Sequence, residues 1–404
     1  MKRAVGTLVT IGLMTGAAFA QEPITLGVNL ELSGRLVSLG TPELEGMRAV
    51  QAEMGEVLGR PVELSVCDNA STPEGSVACA NRFVDEGVVA VLGTGGSTQA
   101  IPAAQVLQDA GIITITPSST NNATTQIGDH IFRVAYNDEF QGAVAAEYLY
   151  NDAEARRVAV FRQQDDDYSF GLAGFFDDAF KAAGGETVIV DYTAGTVDFA
   201  AQINDIRAFN PDAIYTPGFC PELASLIPQL LQQGFTEQLK MGGDGTDDAQ
   251  CPDGGGAAFN GFRFTAFAEP EQLSSDPEAA KRAEAFRTSF DESQPDGTFN
   301  GFTLAGADAY NVIVAAIEAA GSTDSGAVLE ALSNLENYPG VSGPISFAGT
   351  DGTPSNRIMG FFEYKVPGEG GDAYTKASLG GLTRQFEGAG AGGSESGGTE
   401  SGGQ

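Results

Sequence analysis

The chain is predicted to be an α/β protein built of two doubly wound lobes with a ligand cleft between them. Short apolar strands alternate with amphipathic helices almost from end to end, the signature of parallel sheets covered on both faces. The second half repeats the layout of the first, and each half is near the usual domain size. The repeat can be read directly: VVAVLGTGGSTQAIPAAQVLQDAGIITIT and DAIYTPGFCPELASLIPQLLQQGFTEQLKMG each run strand, glycine loop, proline-containing apolar helix, glycine near the helix end, strand.

In the first half, strands are expected at Ile24 to Leu30, Val62 to Val66, Val88 to Leu92 and Ile112 to Ile115. Thr41-Pro42 and Thr72-Pro73 each set a capping hydroxyl before a proline at the first helical position. Leu44, Met47, Val50, Met54 and Val57 recur at three or four residues and mark a buried helical stripe. The second half gives strands at Val158 to Phe161, Thr187 to Tyr192, Ala213 to Tyr215 and Leu239 to Met241. Beyond it come helices at Pro277 to Phe290, Thr303 to Ala320 and Ser325 to Leu335, then strands at Ile345 to Ala348 and Ile358 to Tyr364. These complete both lobes and make each discontinuous: 21–141 with 269–343, and 142–268 with 344–386. Residues 387–404 form a glycine- and serine-rich acidic stretch without apolar content, expected to be a disordered tail.

Residues 1–20 read as a secretory signal: Lys2-Arg3, an apolar run from Val5 to Phe19, and Ala18-Phe-Ala20 as a small-x-small cleavage site. The mature protein is expected to be exported, free of lipid because no cysteine follows Ala20, and no later run approaches the ~18 apolar residues of a membrane span. Loss of Lys2 and Arg3 takes the formal charge from -33 to about -35, a surface that repels nucleic acid and suits high salt. Four cysteines in an oxidising compartment imply two disulfides with three possible connectivities. The local pairs Cys67–Cys79 and Cys220–Cys251 are favoured, since Cys67 ends a strand before the helix of Cys79, and Cys220 and Cys251 both follow strand ends.

Val91-Leu-Gly-Thr-Gly-Gly-Ser-Thr98 looks like a phosphate loop, but it lacks the Lys-Ser/Thr pair of a P-loop and the third spaced glycine of a dinucleotide fingerprint. What remains is a backbone open to close approach and Ser97 as cap of a helix whose free N–H groups favour an anion. Ligands of such sheets sit at the carboxyl ends of strands, so facing lobes would present Ser97 and Ser119 against Tyr168 and Asp244.

An enzyme has little to work with. The single histidine, His130, reads as a structural imidazole beside a strand, no G-x-S-x-G elbow occurs, and a zinc cluster lacks ligands. Asp165-Asp166-Asp167 and Asp247-Asp248 lack EF-hand spacing and read as solvated surface. No metal or cofactor is expected, and an exported carboxylate-dependent hydrolase is the alternative of a different class.

Leu32-Ser-Gly34 with Gly40, Val91 to Ser97, Ile115-Thr-Pro-Ser-Ser-Thr-Asn121, Phe132-Arg133 with Asp138 and Gln141, Tyr168 to Leu172 and Met241-Gly-Gly-Asp-Gly245 together resemble the exported branched-chain amino-acid-binding proteins of ABC transporters, up to about Phe386. The resemblance implies two lobes joined by three crossovers that close on an amino acid, a membrane permease as partner, a monomer and a periplasmic location. By position it implies that Ser97 and Thr120 bind the ligand carboxylate. It implies a carbonyl of Ser118 or Ser119 and the carboxylate of Asp244 for the ammonium, with Tyr168 closing from the second lobe. Asp244 stands where the family comparison has glutamate, and Phe219 and Leu39 where it has tyrosines, so the side-chain pocket should be more apolar. The same fold also serves ligands such as amides, urea or aromatic acids.

Overall fold

A computed structural model describes residues 22–366 and 374–382. Its first sheet contains β1 (Ile24–Leu30), β2 (Glu56–Val57), β3 (Arg60–Asp68), β4 (Ala90–Gly93), β5 (Ile113–Thr116) and β6 (Ile131–Arg133) in the order β2-β3-β1-β4-β5-β6. All pairs are parallel except the short β2–β3 pair. Helices α1 (Val37–Glu53), α2 (Pro73–Glu86) and α3 (Ser97–Asp109) connect these strands.

After α4 (Asp138–Glu147) a second sheet begins with β7 (Arg157–Gln163), β8 (Glu186–Tyr192), β9 (Ala213–Thr216), β10 (Leu239–Gly242) and β11 (Arg263–Phe267). They alternate with α5 (Asp167–Ala182), α6 (Ala200–Arg207), α7 (Cys220–Gln232) and α8 (Gln250–Gly255). Next come α9 (Pro277–Ser293), α10 (Gly301–Ala320) and α11 (Ser325–Ser333), and a hairpin of β12 (Tyr338–Gly340) with β13 (Gly343–Ile345). Finally β14 (Met359–Lys365) and β15 (Thr375–Leu382) add antiparallel to the edge of β11. The second sheet therefore runs β15-β14-β11-β10-β9-β7-β8.

Taken over the parallel strands alone, both sheets have the same order: the second strand, then the first, third, fourth and fifth. The chain reverses its direction of sheet growth between β1 and β4 in one and between β7 and β9 in the other, which opens a crevice at the strands' carboxyl ends. α10 packs along α1 against the first sheet, and α4 packs along α5 against the second. The chain passes between the two sheets at residues 134–137, 268–276 and 346–358.

Several expectations need correction. α1 begins at Val37, with Pro42 inside it, because the amides of Leu39 and Gly40 already close the first turn on the Leu36 carbonyl at 2.9 and 3.3 Å. Thr72 does cap α2, accepting from the Gly75 amide. The strand expected at Ile345 to Ala348 stops at Ile345, after which Phe347 turns to pack edge-on against Phe132, centroids 5.1 Å apart. α10 is long and apolar enough to span a membrane by length and composition, contrary to the expectation that no such run exists, yet 83% of that window is buried in the core. Asp166, Asp247 and Asp248 are buried rather than solvated: Asp166 caps α5, Asp247 pairs with Lys376 at 2.7 Å, and Asp248 accepts from Ser38 Oγ. The disulfides are Cys67–Cys79 and Cys220–Cys251. The expected signal and tail lie outside the described residues.

Candidate functional site

The crevices of the two sheets face each other across a small cavity. From the first sheet come Leu39 of α1, Gly95, Gly96 and Ser97 after β4, and Ser118 and Thr120 after β5; from the second come Tyr168 after β7, Phe219 after β9, and Asp244 and Gly245 after β10. Seven of the eight residues expected at a ligand site thus line one cavity. Ser119 does not: its hydroxyl lies between Thr124 Oγ1 at 2.8 Å and Ser97 Oγ at 3.2 Å, and its carbonyl accepts from Arg133 Nη1 at 2.8 Å.

The wall of the first sheet is a set of hydrogen-bond donors. Ser97 is the first residue of α3 rather than its cap, so its hydroxyl is free to face the cavity. Ser97 Oγ accepts from Ser119 Oγ and from the Asn121 amide, both at 3.2 Å. A hydroxyl accepts at two lone pairs and donates once, so the Ser97 proton is left for a ligand. The chain Thr124 to Ser119 to Ser97 therefore fixes the direction of that donor, and successive hydroxyls polarise one another. Thr120 Oγ1 is buried at the same wall beside the Asp138 carboxyl, whose burial-raised value it helps to hold down.

Two buried carboxyls that the sequence reading did not single out lie behind this wall. Glu31, at the end of β1, accepts from the amides of Gly95 and Gly96 at 3.2 and 3.3 Å. The glycine loop thus spends two N–H groups internally. Burial pushes the Glu31 carboxyl up to about 7, against the opposing pull of these amides and Asn69. Burial and the neighbouring Glu31 push Glu43 well above the usual carboxylate range, and Ser118 donates to it. The signal was present in the sequence: Glu43 falls four residues after Leu39 and four before Met47, on the buried stripe. Gly93 is required for a related reason, since at φ +124° a Cβ there would stand 2.0 Å from the Asn29 carbonyl oxygen of β1.

The opposite wall carries one carboxylate. Asp244 Oδ1 accepts from Gln141 Nε2 at 2.7 Å, and the Gly245 amide donates to the Tyr168 hydroxyl at 3.1 Å. Burial pushes the Asp244 carboxyl up to about 7, opposed by its hydrogen bond with Tyr168. Phe219 packs on Tyr168 with centroids 5.1 Å apart, and the Cys220–Cys251 disulfide braces the residue after it to α8.

The walls are latched together at the rim. Arg35, after β1, reaches Glu222 Oε2 of α7 at 3.0 Å and Asp166 Oδ2 at 3.8 Å, and its guanidinium lies 5.0 Å from the Phe219 ring centre. Thr98 Oγ1 donates to Asp166 at 3.2 Å and accepts the Asp167 amide at 2.8 Å. Asn121 Nδ2 donates to the Asp167 carbonyl at 2.6 Å. His130 immediately precedes β6, at the end of the sheet away from the cavity, paired with Asp129 at 2.7 Å. Among the described residues no group of three or more metal-ligating side chains is arranged to hold a metal.

Two like lobes whose strand ends enclose a small polar cavity, latched across its rim, define a two-lobed solute-binding protein. Comparison with known proteins gives the same class: the chain matches the periplasmic binding protein family over residues 23–372 and belongs to it. An amino acid binding protein of Pseudomonas aeruginosa is 31% identical over 331 residues, 80% of this chain and 86% of that protein. A Leu/Ile/Val-binding protein of Rhizobium johnstonii is 31% identical over 85% of this chain and 92% of its own length. The crystal structure of a leucine binding protein from Thermotoga maritima superposes with a TM-score of 0.80 at 32% identity, covering 88% of this chain and 99% of that one.

Proposed function

We propose that this protein is the periplasmic receptor of an ABC transporter, exported by cleavage after Ala20, which captures a branched-chain or other aliphatic L-amino acid and delivers it to a membrane permease. The observation that carries the reading is the separation of charge preference in one small cavity: hydroxyl donors of Ser97 and Thr120 on one wall, the Asp244 carboxylate on the other. A zwitterion bridges these walls, its carboxylate on the first and its ammonium on the second, so binding and closure are one event. The Ser118 carbonyl is a further acceptor for the ammonium, while Leu39, Tyr168 and Phe219 receive an aliphatic side chain. The names of the relatives from Pseudomonas, Rhizobium and Thermotoga support this ligand class.

Residues 134–137, 268–276 and 346–358 act as the hinge between lobes, and the receptor works as a monomer. Binding without turnover is the reading: glycoside hydrolysis uses two carboxyls flanking the bond, and among the described residues Asp244 is the one carboxylate lining the cavity. A thermal-shift screen of refolded protein against amino acids, short amides, urea and aromatic carboxylates tests the reading. Ligand at 100 times its Kd adds ~2.7 kcal/mol, several degrees of midpoint. A selective shift with leucine, isoleucine or valine is expected; a shift only with amides or aromatic acids would overturn the ligand, and turnover of a glycoside panel would overturn the class.

A further inference from the structure

We propose that Gln141 is the positioning residue of the ammonium site, fixing the Asp244 carboxylate by gripping it at two points from the neighbouring helix. This rests on the reading that Asp244 receives an ammonium group. Gln141 Nε2 donates to Asp244 Oδ1 at 2.7 Å, while Gln141 Oε1 accepts the Asp244 backbone amide at 3.3 Å. One side-chain amide therefore satisfies both the backbone and one carboxylate oxygen of the same residue. With Oδ1 held inside the lobe by Gln141 and the carboxylate also bonded to Tyr168, the group is set in one orientation at the cavity that it lines.

The local sequence is shaped around this grip. A Cβ on Gly243 would stand 2.5 Å from Gln141 Oε1 and 2.4 Å from the Tyr168 hydroxyl, so only glycine before Asp244 lets both side chains close on the loop. Gln141 is fully buried, and the next residue, Gly142, brings α4 against the backbone of α5, where a Cβ would meet the Phe176 amide at 2.7 Å. The position of Gln141 is thus determined by the same helix pair that carries Tyr168. A neutral amide is the appropriate partner. An acidic side chain at 141 would repel Asp244, which already has the buried Asp138 carboxyl as a neighbour, and a cationic one would compete with the ligand for Asp244. The donor also favours the ionised carboxylate, which an ammonium ligand requires.

The test compares leucine with its oxo acid, 4-methyl-2-oxopentanoate, which keeps the carboxylate and side chain but lacks the ammonium. Calorimetric or competition titrations use the mature full chain, with the oxo acid taken to millimolar concentration. Gln141→Met, which keeps length without the amide, is expected to lose roughly tenfold or more in affinity for leucine but less than about threefold for the oxo acid. Equal losses for both ligands would show a merely structural role and overturn the proposal, as would no loss for either. Gln141→Asn, one methylene short but still an amide, should give the same selective loss, and it serves if the methionine variant does not fold. A wild-type protein that binds leucine and the oxo acid alike would instead overturn the ammonium role of Asp244 itself, and the positioning role with it.

Discussion

Lowering the pH from 8 to 5 is expected to weaken leucine binding by about a hundredfold. The Asp244 carboxyl has an ordinary value of 3.8 and is pushed up to about 7 by burial. An ammonium ligand needs it ionised, and the ligand's own charge lowers that value in the complex, so binding below neutrality must release a proton. The sign follows: affinity is full above 7 and declines as pH falls through it. Two units below, the ionised fraction is ~1 in 100, a loss of about 2.7 kcal/mol. Glu31, also pushed up to about 7, lies behind the carboxylate wall, and its neutralisation in acid removes a charge that repels the ligand carboxylate. It therefore blunts the decline, and Glu31→Gln should steepen it. Titration calorimetry in two buffers of different ionisation enthalpy reads both quantities, the Kd and about one proton released per leucine near pH 6. An unchanged Kd with no proton release across this range would refute the assignment of Asp244.

The other perturbations act on separate parts of the site. Arg35→Ala removes the rim latch to Glu222 and Asp166; a pair only a quarter exposed on the arginine side should cost about 1 kcal/mol of affinity, seen as faster leucine release in stopped flow, and the difference should shrink in high salt. Ser119→Ala breaks the hydroxyl chain behind Ser97 without touching ligand, and calorimetry should show a loss of roughly three- to tenfold in affinity. In the ligand-free protein, the raised Glu31 carboxyl contributes stability that is complete below its ordinary 4.5 and lost as pH rises through about 7. Asp244 and Glu269, also raised to about 7, contribute in the same sense, so in denaturant melts from pH 8 to 5 Glu31→Gln should remove only its own share of the gain, up to roughly 3 kcal/mol.

The architecture was legible because it rests on period and repetition. Strand β1 was read from Ile24 to Leu30 as it stands, and the two glycine-loop units were recognisable as copies before either could be placed in a sheet. Elements with little periodicity were missed. β6 has three residues, β11 opens on an arginine, and α4 carries Gly142 and a run of alanines with a weak apolar stripe.

Side chains at strand ends were legible where a motif fixed them, as for Ser97, Tyr168 and Asp244. What was not legible was the competition for each polar atom. Ser119 carries the same hydroxyl as Ser118, yet the Arg133 guanidinium and Thr124 draw it out of the cavity. Asp247 and Asp248 read as solvated charge until Lys376 of β15 and Ser38 of α1 arrive from distant positions. Glu31 likewise takes the glycine-loop amides that the sequence alone would leave to a ligand.

The central claim is that the first wall holds the ligand carboxylate and the second its ammonium. A crystal structure of the mature protein with leucine tests this most directly. The account predicts a carboxylate oxygen within ~3 Å of Ser97 Oγ and Thr120 Oγ1, with the nitrogen within ~3 Å of an Asp244 oxygen. Leucine seated in the reverse orientation, or bound without contact to Asp244, would contradict it.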